Sequence, residues 1–371
     1  MIRILVFGMT ENPGGVESFL VNYYRNIDRS KIQFDFLCNS YEKVAYEDEL
    51  ISLGGRTYHF TSRRESPSKF RKELTAFFEA HASEYSAIWV NVCSLANIDY
   101  LKFAKKYGIG RRIIHSHNSQ NMDGFIRGTL HAINKKSLHK YATDFWACSD
   151  DAVEWFYPSS LTSKAVVIHN AIDVSRMAFD PSERARVRTE LGVSEDCYLV
   201  GNVGRLHFQK NQSFALDVFK DYLALDPKSK LVLVGQGEDE EMLKNKVSEF
   251  GIGDNVVFTG VRRDVSSLLS SFDAYLFPSV FEGLGIAALE AEANGLPVLA
   301  SEGVIPAEVN IIDNFSFFSL DKSAKEWADK LYEIKNKYKR LSYEEVLPRF
   351  RARDYEIKDE AVKLQNRLLG V

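Results

Sequence analysis

The sequence predicts an α/β protein built from two Rossmann-like, doubly wound units in series. Short apolar runs alternate with amphipathic helical stretches from end to end, and the alternation restarts near the middle. The length of 371 residues agrees, because a domain of ordinary size uses about 150.

Residues 2–7 form the first strand, and after a glycine-bearing loop residues 17–26 set Phe19, Leu20 and Tyr23 on one helical face. Residues 34–38, 87–92, 112–115 and 145–148 are further short strands, with helices expected over 48–53, 67–82 and 98–107. After 166–173 the rhythm begins again. Strands are expected at 198–203, 230–234, 256–259, 274–277 and 297–300, with helices at 212–225 and 240–250. The expected division is 1–172 and 173–347, with 348–371 as a terminal helical segment packing back on the first domain. The polar stretch 173–190 reads as the linker.

Composition removes several classes. A net charge of −4 argues against a general nucleic-acid binder. No run approaches the roughly 20 apolar residues that span a bilayer, and the start reads as a strand rather than a signal peptide, so the expected address is cytoplasmic. Cys38, Cys93, Cys148 and Cys197 have neither zinc nor redox spacing and read as buried free thiols. Between Gly124 and Thr143 lie Arg127, Lys135, Lys136 and Lys140 with no acid, interleaved with Phe125, Ile126, Leu130, Ile133 and Tyr141. Two readings fit this stretch: a helix resting on an anionic membrane, or a solvated helix with a core face.

In open α/β sheets ligands sit beyond the carboxyl ends of the strands, and two units in series suggest an active site between them. Four loops meet that expectation. Gly14 and Gly15, opening the first helix, would let backbone amides approach an anion, although a tight turn alone also asks for glycine. After the first strand of the second unit come Gly204, Arg205 and Lys210; Arg205 as a bidentate fork and Lys210 as a movable point charge suit a diphosphate. The stretch Glu282, Gly283, Leu284, Gly285 leads into a helix from about Ile286 to a stop at Gly295. Glu290 lies about a turn inside it. The Gly283–Gly285 amides can hold a phosphate, and Glu290 can accept from sugar or ribose hydroxyls; Glu292 reads as solvated. His115 and His117 end a strand of the first unit, and one could donate a hydrogen bond into the site. No neighbouring acid or cysteine completes a metal set. No Asp-x-Asp and no Gly-x-Ser-x-Gly occurs.

Taken together, Gly14, Gly15 and Glu17, then Gly204, Arg205, Gln209, Lys210 and Asn211, then Glu282 to Gly285 with Glu290, resemble the signature of retaining glycosyltransferases of family 4. Asn170 to Asp173 resembles that family's interdomain segment, with Ala171 where glycine is more frequent. Residues 34–37 and 301–306 add a likeness to bacterial members that build capsule and exopolysaccharide. The resemblance implies a GT-B fold, two facing Rossmann-like domains with the acceptor on the first and a nucleotide sugar, UDP-linked, on the second. It implies that Arg205 and Lys210 bind the donor diphosphate, with Gly204, Gly14 and Gly15 nearby. Glu290 would hold the ribose, Glu282 the hydroxyls of the transferred sugar, and His117 the sugar near its reacting carbon. The backbone at Val261 and Arg262 would lie near the base. No metal and no other cofactor is expected. The implied partners are the nucleotide-sugar donor, a saccharide or lipid-linked saccharide acceptor, and an anionic membrane surface touched peripherally on its inner face; no nucleic acid is expected. A sugar phosphorylase, a nucleotide-sugar epimerase or a non-catalytic binding relative on the same architecture are the alternatives.

Overall fold

The computed structural model describes residues 1–118 and 124–371. The chain divides into two compact units, Met1–Ala171 with Ile357–Val371, and Ile172–Glu356.

The first unit holds strands β1 (Ile2–Phe7), β2 (Ile32–Cys38), β3 (Thr57–His59), β4 (Ala87–Val92), β5 (Arg111–Ser116), β6 (Asp144–Ala147) and β7 (Ala165–Val167). They form one parallel sheet in the order β3-β2-β1-β4-β5-β6-β7. Helices cover both faces, so residues such as Ile4, Leu5, Val6, Ile88 and Trp89 are buried whichever way they point. That is why β1 reads as a continuous apolar run and not as an alternation.

The second unit repeats the plan with β8 (Leu199–Val203), β9 (Lys230–Val234), β10 (Val256–Gly260), β11 (Ala274–Phe277), β12 (Val298–Ser301) and β13 (Phe315–Phe318). Its order is β10-β9-β8-β11-β12-β13, again parallel. Connections leave in opposite directions between β1 and β4 in one unit and between β8 and β11 in the other. Those switch points put the loops after β8 and β11 side by side.

Several sequence-based expectations change. The strands β3, β7 and β13 are not among the expected ones, each being only three or four residues long and mostly half-buried. The expected linker 173–190 is an ordered part of the second unit. Asp173 and Asp180 cap the helices Val174–Met177 and Pro181–Glu190. Arg188, fully buried, donates to the carbonyls of Ser194, Cys197 and Ser271 and to the Asp273 carboxylate. Residues 348–356, grouped by sequence with the terminal helix, belong to the second unit, because the helix Tyr343–Ala352 buries Val346 and Phe350 in its core. Only Ile357–Val371 returns to the first unit. There Ile357, Ala361, Leu364 and Leu368 join the cluster containing Phe19, Leu20 and Tyr23 of the helix Gly15–Asn26. Gln365 accepts from the Asp28 amide at 2.7 Å, and the Arg111 guanidinium caps the carbonyls of Arg367 and Leu368 at 2.9 Å. Of the four cysteines, Cys38, Cys148 and Cys197 are buried but Cys93 is exposed.

Candidate functional site

The second unit assembles a charged site from the two loops at its switch point. Beyond β8 the chain turns at Gly204 and reaches Asn211 in the left-handed region at φ 54° before the helix Gln212–Leu223. Three bonds fasten this loop to the one beyond β11: Asn211 Nδ2 to Pro278 O at 3.0 Å, Gln209 Nε2 to Phe281 O at 3.1 Å, and Val280 N to Gln209 O at 2.8 Å. Fixing both backbones in this way brings Lys210 Nζ to 2.6 Å from Glu282 Oε1, with both side chains largely shielded from water. The ammonium also lies 5.2 Å from the centroid of the Phe277 ring.

After Glu282, Gly283 and Leu284 lead to Gly285, which sits at φ 83° and begins the helix Ile286–Ala293. A Cβ at Gly285 would meet Ile305 at 3.3 Å and Phe277 at 3.4 Å, so both conformation and space ask for glycine. Leu284 is a core anchor; any contact it offers a donor is through its backbone. Glu290 is half-buried, and desolvation pushes its carboxyl up to about 7, opposed by the Arg176 charge. Burial raises the Tyr275 phenol, and the charges of Glu290 and then Glu282 add to that rise.

Arg205 is mostly exposed and grips Glu238, with Nε on Oε2 at 3.0 Å and Nη2 on Oε1. Sequence reasoning passed over Glu238. Its signal was a Gly-x-Gly turn, Gly235 and Gly237, directly after β9.

Val261 is exposed, whereas the Arg262 side chain is committed to a network with Asp264 and Glu190, which Arg186 joins. A base could therefore meet the backbone there but not a free guanidinium. The expectation for Glu292 is overturned. It is fully buried and accepts from the amides of Ile311 and Ile312, both at 3.0 Å, because its face of the helix turns toward the β12–β13 connection. Desolvation holds its carboxyl well above the ordinary range.

Gly14, Gly15 and His117 lie in the first unit. Gly14 precedes the helix Gly15–Asn26, and the chain's own Glu17 is folded toward it, accepting from Thr10 Oγ1 at 2.5 Å. A Cβ on Gly14 would come within 2.9 Å of Glu17 Oε2. The first turn thus already carries a carboxylate where the sequence suggested room for an anion. His117 Nε2 lies 2.9 Å from Asn91 Oδ1, and Asn91 Nδ2 donates to Phe7 O at 3.1 Å. That arrangement makes Nε2 the protonated nitrogen and leaves Nδ1 a lone pair with no partner among the described residues. Desolvation lowers the ring to about 3, so it is neutral. The expectation of a histidine donating outward changes accordingly: its N–H is turned inward to Asn91. His115 packs against it, the rings tilted by 35° with centroids 4.1 Å apart. Among the described residues no group of three or more His, Cys, Asp or Glu could hold a metal ion.

Two parallel doubly wound units, the second with a cation–carboxylate site at its switch point, place the chain among GT-B proteins. Residues 183–345 match the family described as glycosyl transferases group 1. That match lies within the second unit, Ile172–Glu356. The chain is 27% identical over 328 residues to EpsF of Bacillus subtilis, which its name describes as a glycosyltransferase; the match covers 86% of this chain and 84% of that one. It is 31% identical over 141 residues to an Escherichia coli UDP-Gal:alpha-D-GlcNAc-diphosphoundecaprenol alpha-1,3-galactosyltransferase, covering 37% and 36%. The fold superimposes on Anabaena Alr3699/HepE, solved in complex with UDP and glucose, with a TM-score of 0.80, 19% identity and all of both chains covered.

Proposed function

We propose that the protein is a retaining, metal-independent glycosyltransferase that moves a sugar from a nucleoside diphosphate, UDP, to a growing lipid-linked saccharide in surface polysaccharide synthesis. The single observation that carries this reading is the Lys210–Glu282 pair, 2.6 Å apart beside Gly283–Gly285 at the switch point. UDP is suggested by what the Anabaena neighbour holds and by the donor in the name of the E. coli relative; that name also supplies the lipid-linked acceptor.

Transfer breaks the bond between the anomeric carbon and the diphosphate oxygen and forms one to the acceptor oxygen. The acceptor's proton passes to the departing diphosphate. Positive charge builds on the sugar ring and negative charge on the leaving group. In this reading Arg205, Lys210 and the amides of Gly283–Gly285 stabilise the leaving charge, and removal of one such group lowers the rate by about 10²–10³-fold. Once the diphosphate takes Lys210, the Glu282 carboxylate is released to accept from sugar hydroxyls, while Glu290 accepts from the ribose. His117, neutral, meets the developing ring charge without repelling it. A panel of UDP-, GDP- and ADP-sugars scored by thermal shift tests the reading. Stabilisation by none of them, or full glycan synthesis by the Lys210→Ala variant, would sink it.

The acceptor's lipid gives meaning to the helix Phe125–Ser137. Its buried side carries His131, while Phe125, Ile126 and Ile133 are 89%, 75% and 59% exposed. Its apolar stripe therefore does not face the core. Lys136 and Lys140 are exposed beside it, whereas the Lys135 ammonium donates to Trp155 O. We assign this face to an anionic membrane surface. Replacing Ile126 and Ile133 by Ser should reduce sedimentation with phosphatidylglycerol vesicles at unchanged Tm; undiminished sedimentation would leave the helix a solvated one. Among the described residues no helix is long and apolar enough to cross a membrane.

A further inference from the structure

The phosphate-binding assignment leaves one strong charge unexplained, a carboxylate lodged on Arg205. Glu238 is not a wandering surface acid. The turn that carries it is pressed onto the backbone of the Arg205 loop, with Gly204 N bonded to Val234 O at 2.9 Å, Leu206 N to Gln236 O at 3.0 Å and Asp239 N to Leu206 O at 3.1 Å. Both glycines of the turn exist for this approach. A Cβ on Gly235, at φ 131°, would lie 2.0 Å from Gly204 O, and one on Gly237 would lie 2.1 Å from Leu206 O. The stem of Lys210 passes over Gly204 on the same turn, 3.3 Å from where a Cβ would be. Both cations of the site are thus held by a carboxylate of the chain, Lys210 by Glu282 and Arg205 by Glu238.

The two pairs differ in character. Lys210 and Glu282 are shielded, whereas Arg205 and Glu238 are 65% and 54% exposed. An exposed ion pair contributes little net stability and exchanges readily. Its two-pronged form is also the one in which a guanidinium takes two phosphate oxygens, so carboxylate and phosphate compete for the same Nε–Nη2 edge.

We propose that Glu238 is an internal anion that occupies the phosphate-binding edge of Arg205 and is displaced when the diphosphate of a nucleotide binds. The inference rests on the reading of Arg205 and Lys210 as diphosphate ligands. Its consequence is an exchange in which every bound diphosphate competes with Glu238, and the carboxylate retakes Arg205 as the product nucleoside diphosphate leaves.

The test is calorimetric titration of the full chain with UDP, GDP and ADP, comparing the native protein with Glu238→Gln, Arg205→Ala and the double variant. For the diphosphate that binds, Glu238→Gln should tighten Kd about two- to five-fold. In the Arg205→Ala background that gain should vanish, because no edge remains to be released. Unchanged or weaker binding by Glu238→Gln would overturn the inference alone. A gain that persists without Arg205 would overturn it too, as mere removal of a repelling charge. A native protein that binds none of the three diphosphates would overturn the underlying assignment together with the inference.

Discussion

At the residue level, the most telling contact is Lys210 on Glu282. Since the Glu282 side chain is nearly buried, Lys210→Ala leaves a shielded carboxylate without its counter-ion. That variant should lose both Tm and UDP affinity, whereas Lys210→Ala with Glu282→Gln should recover Tm but not affinity. Thermal unfolding and titration on the same samples separate the two effects. Glu290 yields a prediction in pH. Its folded-state value, about 7 against an ordinary 4.5, means the native state holds a proton that the unfolded chain has given up. The stability this proton confers is full below about 4.5 and lost as pH rises through about 7. Glu290→Gln, which cannot ionise, should match the native Tm at pH 5 and exceed it at pH 8.5. Equal Tm values at both pH would contradict the burial of this charge. Residue identity alone singled out Arg205, Lys210, Glu282 and Glu290 as candidates, because few other chemistries use those types at strand ends. It could not reveal that Glu292 is buried or that Arg262 is spoken for. Both facts depend on partners far along the chain, Ile311 and Ile312 for one and Glu190 for the other.

At the level of elements, the site is a product of turns held against each other. The β8 and β9 turns touch backbone to backbone, which makes glycine necessary at 235 and 237. Gly235→Ala must displace the Gly204 carbonyl, so it should cost more than the roughly 0.4–1 kcal/mol separating Gly from Ala at undemanding positions, and should weaken UDP binding as well. Retention of both Tm and affinity would show the turns to be independent. Periodicity and length made the long strands and most helices readable, since an apolar run covered on both faces leaves little choice. It failed where packing overrides pattern. The Pro181–Glu190 helix is mostly polar and looks like a linker, yet it is anchored by buried Val187 in the core and by buried Arg188 beside Asp273. For the stretch 125–137 the pattern leaves two readings, a membrane-resting helix or a solvated one with a core face; Phe125, Ile126 and Ile133 point outward and His131 points in, which speaks against the core face.

At the level of the whole molecule, the chain order matters. The second unit, Ile172–Glu356, is an insertion between the body of the first and its last helix. Ile357, Leu364 and Leu368 each bury an aliphatic side chain worth about 1.5–3 kcal/mol as an upper estimate. A chain ending at Glu356 should therefore keep the unfolding transition of the second unit and lose or sharply lower that of the first. Calorimetry of the truncated protein checks this; an unaltered first-unit transition would show that Ile357–Leu369 is dispensable.

The return of that helix also sets a timetable in the living cell. Domains emerging from the ribosome ordinarily fold in turn, the first while the next is being made. Here the face of the helix Gly15–Asn26 that receives Ile357–Leu369 must wait while the whole of Ile172–Glu356 is synthesised, roughly 10–40 s at typical elongation rates. For that interval the nascent chain carries an unclosed apolar seam beside Phe19 and Leu20. Chaperone demand should persist while Ile172–Glu356 is made and fall once Ile357–Leu369 has docked.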